Sequence, residues 1–293
     1  VDMLDPTTAA EAVAAALGAL RVRGETADEI AGFSAAMRAA ALPVPECRAG
    51  LMDTCGTGGD AAGTFNVSTA TALLLAAAGV PVAKHGNRAV SGRFGSTDVL
   101  EALGVPVDLE PAQASRALRE HGFVFLFAQR YHPVLARIGA VRRALGVPTV
   151  FNLLGPLANP VPLTYQVLGV YDPIMAPVLA GALAESGLRQ AWVVHGDGGL
   201  DELALSGPSR VWEVFEGRVH ETVVSPEDAG LERAPQEALA GGSDARGNAA
   251  LLEGVLRGVA GPRRDVVLLN AAAGLVVAER AETLVEGAEL AAR

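Results

Sequence analysis

From residue 51 onward, short apolar runs alternate with stretches of helical periodicity, and this alternation limits the possible folds more than any other feature. Repeated strand–helix–strand units place their strands in parallel and their helices on the faces of the sheet. We therefore predict an α/β protein with a central mixed, mostly parallel sheet flanked by helices. The strands are predicted at 51–53, 80–84, 123–127, 165–170 and 191–195, and the helices at 67–78, 97–103, 112–121, 133–145 and 173–186.

The C-terminal third continues with a hairpin and a group of helices. Residues 211–215 and 218–224 flank the pair Glu216-Gly217, a pattern typical of an antiparallel hairpin, which we place at the edge of the sheet. The polar, glycine-rich residues 225–246 are predicted to form a surface loop. Helices are predicted near 247–258, 265–279 and 281–291.

The N-terminal segment is predicted to be entirely helical. Residues 8–11 and 26–29 match the capping-box pattern, so helices are expected near 9–20 and 27–41. Pro43 and Pro45 end the second helix and indicate a boundary between a small helical domain, 1–48, and a large α/β catalytic domain, 49–293. We expect the small domain to pack against a helical segment at about 130–148 and against a second subunit.

Charge and composition argue against several classes of protein. The formal net charge is −10 and no run of Lys or Arg is present, which argues against nucleic-acid binding. The two cysteines are too few for a disulfide scaffold, so a reduced cytoplasmic environment is expected. The uncharged stretch 61–83 contains Gly63, Asn66 and Pro81 and falls short of the ~20 apolar residues of a membrane span. No secretory signal is apparent at the N-terminus.

A glycine-rich segment follows the first predicted strand. Residues 53–60 read Asp-Thr-Cys-Gly-Thr-Gly-Gly-Asp, and glycine N–H groups can turn toward an anion without a Cβ in the way. Behind this loop, residues 66–69 occupy a predicted helix start, whose N–H groups and dipole suit a phosphate or pyrophosphate. The loop alone leaves phosphate binding and simple chain reversal both open, and it lacks the Walker and dinucleotide-binding spacings. Asp60 suits a ribose hydroxyl, a metal ion or a turn cap.

Three further side chains are candidates for chemistry. Asp201 and Glu202 are adjacent acids in a glycine-rich loop after a strand, and they suit Mg²⁺, although a solvated acidic loop is the alternative. Arg142 lies on the predicted helix 133–145 and can bind a carboxylate as a bidentate fork or face water. His85 and His132 receive no catalytic role.

Six motifs, taken in order, resemble those of the anthranilate phosphoribosyltransferases of tryptophan biosynthesis, which have a nucleoside phosphorylase-like fold. They are 53–60, 66–69 (Asn-Val-Ser-Thr), 84–88 (Lys-His-Gly-Asn-Arg), 95–98 (Gly-Ser-Thr-Asp), 151–157 (Phe-Asn-Leu-Leu-Gly-Pro-Leu) and 194–202 (Val-His-Gly-Asp-Gly-Gly-Leu-Asp-Glu). The resemblance covers nearly the whole chain. It implies Mg-dependent transfer of the 5-phosphoribosyl group from 5-phosphoribosyl-1-pyrophosphate (PRPP) to anthranilate, giving N-(5-phosphoribosyl)anthranilate and pyrophosphate. It also implies a homodimer that forms through the helical domain.

The resemblance further implies a role for each residue that matches a motif. PRPP would contact Gly56, Gly59, Asp60, Thr64, Asn66, Val67, Ser68, Thr69, Lys84, His85, Gly86, Asn87, Arg88, Ala89, Val90, Ser91, Gly92 and Ser96. Anthranilate would contact Gly56, Asn87 and Arg142. Mg²⁺, expected as two ions per subunit, would be held by Ser68, Asp201 and Glu202, and the catalytic groups would be Lys84, Asp201 and Glu202.

The implied reaction agrees with the residues available. Loss of pyrophosphate leaves an oxocarbenium-like centre, and Lys84, backbone donors and Mg²⁺ would stabilise the negative charge that develops on the leaving group. An aromatic amine attacks while neutral and loses its proton afterwards, so no strong general base is needed.

One segment departs from the family pattern. Residues 91–96 read Ser-Gly-Arg-Phe-Gly-Ser where the family has a second serine, so a serine donor is lost at Gly92 and Phe94 adds bulk. The Ser-Gly-Arg segment also resembles pyrimidine nucleoside phosphorylases, which makes phosphorolysis of a nucleoside the alternative activity. A non-catalytic PRPP-binding protein is a third possibility. The 84–87 motif and the pair Asp201-Glu202 favour the transferase.

Overall fold

The structure, a computed structural model, describes residues 2–60, 62–88 and 94–293, and the strands found there form one seven-stranded sheet of order β3-β2-β1-β4-β5-β6-β7. The strands are β1 (Met52–Asp53), β2 (Val82–Gly86), β3 (Phe123–Phe127), β4 (Tyr165–Gly169), β5 (Gln190–His195), β6 (Ser209–Phe215) and β7 (Arg218–Val224). The first five strands pair in parallel, and β6 and β7 are antiparallel. The predicted fold class is therefore confirmed.

Helices cover both faces of this sheet. They are α1 (Ala10–Arg23), α2 (Ala27–Ala39), α3 (Val67–Ala77), α4 (Ser96–Ala102), α5 (Pro111–His121), α6 (Ala128–Tyr131), α7 (Leu135–Leu145), α8 (Ala176–Ala184), α9 (Ala245–Leu256), α10 (Pro262–Val277) and α11 (Leu284–Ala292). Short 3-10 turns lie at Val150–Asn152, Gly155–Leu157, Asp197–Gly199, Pro226–Ala229 and Gln236–Leu239. No helix of the described residues combines the length and apolarity of a membrane span.

The strands alternate their side chains between two cores. Val167 and Trp192 join the core formed with α3, α9, α10 and α11, whereas their neighbours Leu168 and Val193 join the core formed with α1, α2, α7 and α8. Successive residues of a strand point to opposite faces, so a strand buried on both faces must be apolar at consecutive positions. The short continuous apolar runs of the sequence reflect this burial.

The two predicted capping boxes have different outcomes. At α2 the Thr26 Oγ1 accepts from the Glu29 N–H (3.3 Å) and Glu29 Oε2 accepts from the Thr26 N–H (3.1 Å), as predicted. The prediction at residues 8–11 is wrong, because the Thr8 hydroxyl donates to the Asp2 carbonyl (2.7 Å) and Ala9 precedes the helix without a side-chain cap. A folded-back N-terminal segment thus takes the hydroxyl that the pattern assigns to the helix.

Helix α1 packs against α7, and α2 packs against α8. The division into a small domain, 1–48, and a large one, 49–293, remains a prediction. The hairpin prediction agrees with the structure, since β6 and β7 are joined by Glu216 and Gly217, whose positive φ angles (48° and 75°) suit a tight hairpin turn.

The predicted surface loop at 225–246 is more ordered than its composition indicates. It contains two 3-10 turns and buries Ala229 and Leu239 in the core. The Leu239 carbonyl accepts from the Phe65 N–H (3.0 Å), and Thr64 forms a β-bridge with Ala240. This segment therefore braces the chain just before α3.

Candidate active site

The sequence motifs meet at the carboxyl edge of the parallel strands. The glycine loop follows β1, Lys84 lies in β2, Gly169 ends β4, and the acidic loop follows β5 and a 3-10 turn. Ligands of open α/β sheets bind at this edge, because the loops after neighbouring parallel strands come together there.

The acidic pair touches the glycine loop and the start of α3. The Gly58 N–H donates to Asp201 Oδ2 (2.9 Å), and the Ser68 N–H donates to Glu202 Oε1 (3.1 Å). Adjacent residues of a regular strand would point to opposite faces. Here the preceding 3-10 turn is irregular, with Gly198 at a φ of 72°, and both acids face one site.

Glycines allow this close approach. A Cβ on Gly169 would lie 1.6 Å from the Asp201 carbonyl oxygen, and a Cβ on Gly56 would lie 2.7 Å from Asp201 Oδ2. The Thr57 N–H also donates to the Gly169 carbonyl (2.8 Å). Sequence reasoning missed Gly169, for which the available signal was a glycine at the carboxyl end of a predicted strand.

Lys84 approaches the glycine loop from within the protein. Its side chain is only 2% exposed, and its Nζ donates to the Thr54 carbonyl (3.0 Å) and lies 3.4 Å from Thr54 Oγ1. Thr54 Oγ1 in turn donates to the Ser68 carbonyl (3.1 Å). One positive charge therefore lies directly beneath the loop and the helix start.

The two acids are costly to keep ionised here, because both are buried and each lies close to further acidic side chains. Burial, followed by the negative charge of Asp60, raises the pKa of Asp201 to about 7. Burial and the charge of Asp201 raise the pKa of Glu202 well above its usual value, while the Lys84 ammonium lowers it. This donor set fits a hard divalent cation, which would compensate the negative charge of the acids. In the described residues no three His, Cys, Asp or Glu side chains form a metal site by themselves, so a metal here would need Ser68, substrate or water oxygens as well.

Several predicted PRPP contacts lie in or just before α3, and His85 lies in β2. The Val67 and Thr69 side chains are buried, and His85 Nδ1 bonds to the Gly155 carbonyl (2.8 Å). Thr64 pairs through its backbone, and Asn66 immediately precedes α3.

Other predicted contacts surround the site. Asp60 Oδ1 accepts from the Ala62 N–H (3.2 Å) and lies beside Asp201. Gly59 has a φ of 89°, and its absent Cβ would meet the Tyr171 ring at 3.4 Å. Sequence reasoning missed Tyr171, which no motif marks.

The end of β2 leads to the remaining predicted PRPP contacts. A Cβ on Gly86 would lie 2.7 Å from the Phe125 ring and 3.9 Å from Ser96 Cβ. Arg88 is engaged on α4, where it pairs with Asp98 (2.7 Å) and Glu101 (2.8 Å). Ala89, Val90, Ser91 and Gly92 lie outside the described residues, as does Arg93 of the departing segment.

The predicted anthranilate contacts lie on separate elements. Asn87 follows β2, and its Oδ1 accepts from Gln129 Nε2 (3.2 Å). Arg142 lies in the last turn of α7, donates to Asn152 Oδ1 (3.2 Å) and lies over the Phe151 ring at 5.8 Å. Arg142 is half-buried, which lowers its pKa, and it forms no ion pair with a carboxylate of the described residues. A guanidinium in this setting is available for an external carboxylate.

Comparison with known proteins identifies the family. The model of the "Glycosyl transferase family, a/b domain" matches residues 48–293, and that of the "Glycosyl transferase family, helical bundle domain" matches residues 2–41. An anthranilate phosphoribosyltransferase from Desulforamulus reducens is 50% identical over 279 residues, which cover 95% of this chain and 81% of that relative.

Solved structures agree with this comparison. Anthranilate phosphoribosyltransferase from Thermus thermophilus has a TM-score of 0.93 and 47% identity, covering 99% of this chain and 86% of that one. The Saccharomyces cerevisiae enzyme in complex with PRPP and Mg has a TM-score of 0.88 and 29% identity, covering 99% and 84%. The chain therefore belongs to the anthranilate phosphoribosyltransferases of the glycosyl transferase family, which confirms the resemblance that its motifs carry.

Proposed function

We propose that this protein transfers the 5-phosphoribosyl group from PRPP to the amine of anthranilate and releases pyrophosphate, as a step of tryptophan biosynthesis. The observation that carries the proposal is the meeting of the glycine loop, the start of α3 and the pair Asp201-Glu202 at one edge of the sheet. The family's named activity at 50% identity supports the substrates. The yeast complex supports PRPP and Mg²⁺ as ligands.

The glycine loop and α3 would bind the pyrophosphate of PRPP. Backbone N–H groups of Gly56 and Gly59 and the positive end of the α3 dipole suit this anion, whereas the Gly58 and Ser68 N–H groups donate to Asp201 and Glu202. The other PRPP contacts proposed from the family motifs are Asp60, Thr64, Asn66, Val67, Ser68, Thr69, Lys84, His85, Gly86, Asn87, Arg88 and Ser96, with Ala89 to Gly92 as predictions outside the described residues.

Lys84 would act as a fixed charge. Its ammonium lies against Thr54 at the base of the loop, where it can stabilise negative charge that develops on the departing pyrophosphate. Ser68, Asp201 and Glu202 would hold Mg²⁺, proposed as two ions per subunit, and the metal would neutralise the pyrophosphate.

Arg142 would orient anthranilate. Its planar guanidinium can bind the anthranilate carboxylate through two hydrogen bonds, with Asn87 and Gly56 as further contacts. The amine would attack while neutral. Burial, with a contribution from the neighbouring His132, lowers the pKa of His85 to about 3, so His85 is a poor proton acceptor and is not assigned the role of a base.

We also propose a cytoplasmic homodimer that forms through the helical domain, residues 1–48. Sedimentation would check this, since a monomer at micromolar concentration contradicts it.

An assay distinguishes the candidate activities. We expect loss of anthranilate fluorescence with PRPP and Mg²⁺, and no phosphate-dependent release of base from thymidine or uridine. Lys84→Ala and Glu202→Gln should lower PRPP turnover while leaving the fold intact by circular dichroism. Gly18→Ala in α1, where nothing lies within 4 Å of the added Cβ, serves as the control. Base release with no transfer would favour a nucleoside phosphorylase. PRPP binding by calorimetry without product would indicate a non-catalytic protein.

A further inference from the structure

The segment Gly155–Leu157 is attached to the sheet and to α2 by side chains from three elements. The Gly155 carbonyl bonds to His85 Nδ1 of β2 (2.8 Å), and the Pro156 carbonyl accepts from Gln166 Nε2 of β4 (2.7 Å). The Leu157 carbonyl accepts from Ser34 Oγ of α2 (2.7 Å). Consecutive backbone groups are thus tied to different parts of the fold.

Asn159, two residues further on, joins the end of β1 to β2. Its Nδ2 donates to Asp53 Oδ2 of β1 (2.9 Å) and to the Ala83 carbonyl of β2 (2.8 Å). Its Oδ1 accepts from the Val161 N–H (3.2 Å). The Asn159 side chain is 1% exposed, and its donors and acceptor are all used, which favours a single orientation.

Asp53 holds the same strand at a second point. Its two carboxylate oxygens both lie 3.3 Å from the backbone nitrogen of His85, whose N–H donates to them. Asn159 holds Ala83, the residue before Lys84, and Asp53 holds His85, the residue after it. The two side chains therefore fix the backbone on both sides of Lys84.

Keeping the Asp53 carboxylate ionised at this buried position costs free energy. The residue is 0% exposed, and burial raises its pKa to about 6, while the nearby Lys84 charge and the hydrogen bond from Asn159 act to lower it. A buried carboxylate is tolerated when it is paired and hydrogen-bonded. Asparagine would match its size but would offer only one acceptor for two donors and would remove a charge that offsets Lys84.

We propose that Asp53 and Asn159 form a positioning pair for the transferase reaction: they fix the backbone around Lys84 and so set where its ammonium meets the glycine loop, without touching PRPP. This inference rests on the proposed function, in which Lys84 stabilises the leaving pyrophosphate. Misplacement of a catalytic group by about 1 Å can cost ~100-fold in rate.

The test compares Asp53→Asn with a matched control in the same buried layer. We expect Asp53→Asn to lower kcat by about 10- to 100-fold, with a smaller change in the KM for anthranilate. Gln166→Met removes a buried side-chain donor to the Pro156 carbonyl of the same segment. Because the Gln166 side chain bonds to that carbonyl and not to the Ala83 or His85 backbone on either side of Lys84, its kcat should stay near that of the wild type. An unchanged kcat in Asp53→Asn, or an equal loss in Gln166→Met, would overturn the proposal.

Two further measurements keep the outcome decisive. If Asp53→Asn does not fold, Asn159→Ser removes the bonds from residue 159 to Asp53 and Ala83 while the Asp53 carboxylate stays in place. An unchanged kcat, in a variant whose thermal midpoint equals that of the wild type, would refute the pair's role. A wild-type protein without transferase activity would instead refute the proposed function, so the two failures are distinguishable.

Discussion

Substitution of Gly169 by alanine should separate the acidic loop from the glycine loop. The φ angle of Gly169 is not in the left-handed region, so the change introduces no conformational strain of its own. Its effect is steric, because the new Cβ would lie 1.6 Å from the Asp201 carbonyl oxygen and 2.5 Å from its carbonyl carbon. Both are backbone atoms, which cannot turn aside as a flexible side chain can.

The required displacement follows from these distances. Side-chain Cβ atoms essentially never come closer than 3.0 Å to such an atom, so the oxygen must retreat from 1.6 Å by about 1.4 Å. A movement of this size would disrupt the bonds from Gly58 to Asp201 (2.9 Å) and from Ser68 to Glu202 (3.1 Å). Because about 1 Å of misplacement can cost ~100-fold, we expect kcat/KM for PRPP to fall by about 100-fold or more.

The assay is the loss of anthranilate fluorescence at varied PRPP and Mg²⁺, with circular dichroism and thermal melting as checks of the fold. Gly18→Ala is the matched control, because nothing lies within 4 Å of the Cβ that it adds in the middle of α1. Alanine there should leave activity unchanged and stabilise the helix by about 0.5–1 kcal/mol. A folded Gly169→Ala protein with wild-type kcat/KM would refute the link between this contact and PRPP chemistry.

Three other substitutions test separate parts of the structure. Burial raises the pKa of Asp201 from 3.8 to about 7, so the folded metal-free protein binds more protons than the unfolded chain in this range and its stability falls as pH rises from about 4 to 7. Asp201→Asn should flatten this slope and raise the thermal midpoint at pH 8 in EDTA, and parallel curves for the two proteins would contradict the expectation. Arg142→Lys should raise the KM for anthranilate by about tenfold in steady-state kinetics, because the bidentate fork is lost. The same change at the exposed neighbour Arg143 should have no effect, and equal effects would argue against the assignment. Thr26→Ala should lower the free energy of unfolding by about 1 kcal/mol in urea, since the capping box of α2 is lost, and an unchanged midpoint would count against that contribution.

Much of the local structure was predictable from sequence periodicity. The predicted strand 123–127 has the same bounds as β3, and the predicted helix 67–78 differs from α3 by one residue. Patterns near the surface were less reliable, as the Thr8 hydroxyl shows by bonding to Asp2 instead of capping α1. A local signal fails where a neighbouring part of the chain offers a competing partner.

The candidate site was predictable as a set of motifs but not as an arrangement. The glycine loop, the start of α3 and the acidic pair could be identified from residue types, since anion and cation binding require those types. The direction of Lys84 could not, because a lysine in a strand gives no indication whether its ammonium faces solvent or a buried carbonyl. The roles of Asp53 and Asn159 were equally hidden, as their partners are backbone groups of other strands.

By itself the sequence determined which segments become strands and helices and which motifs the chain carries, because periodicity records which faces are buried and motifs record local chemistry. Only the tertiary structure decided that Asp201 meets Gly58, 143 residues away, and that Glu202 meets Ser68, 134 residues away. The physical reason is the strand order: β1 lies between β2 and β4, with β5 beyond β4, so loops distant in the chain meet at one edge. That order depends on packing between helices and strands far apart in sequence. The close approach of Asp201 to the end of β4 is marked in the sequence only by the glycine at position 169.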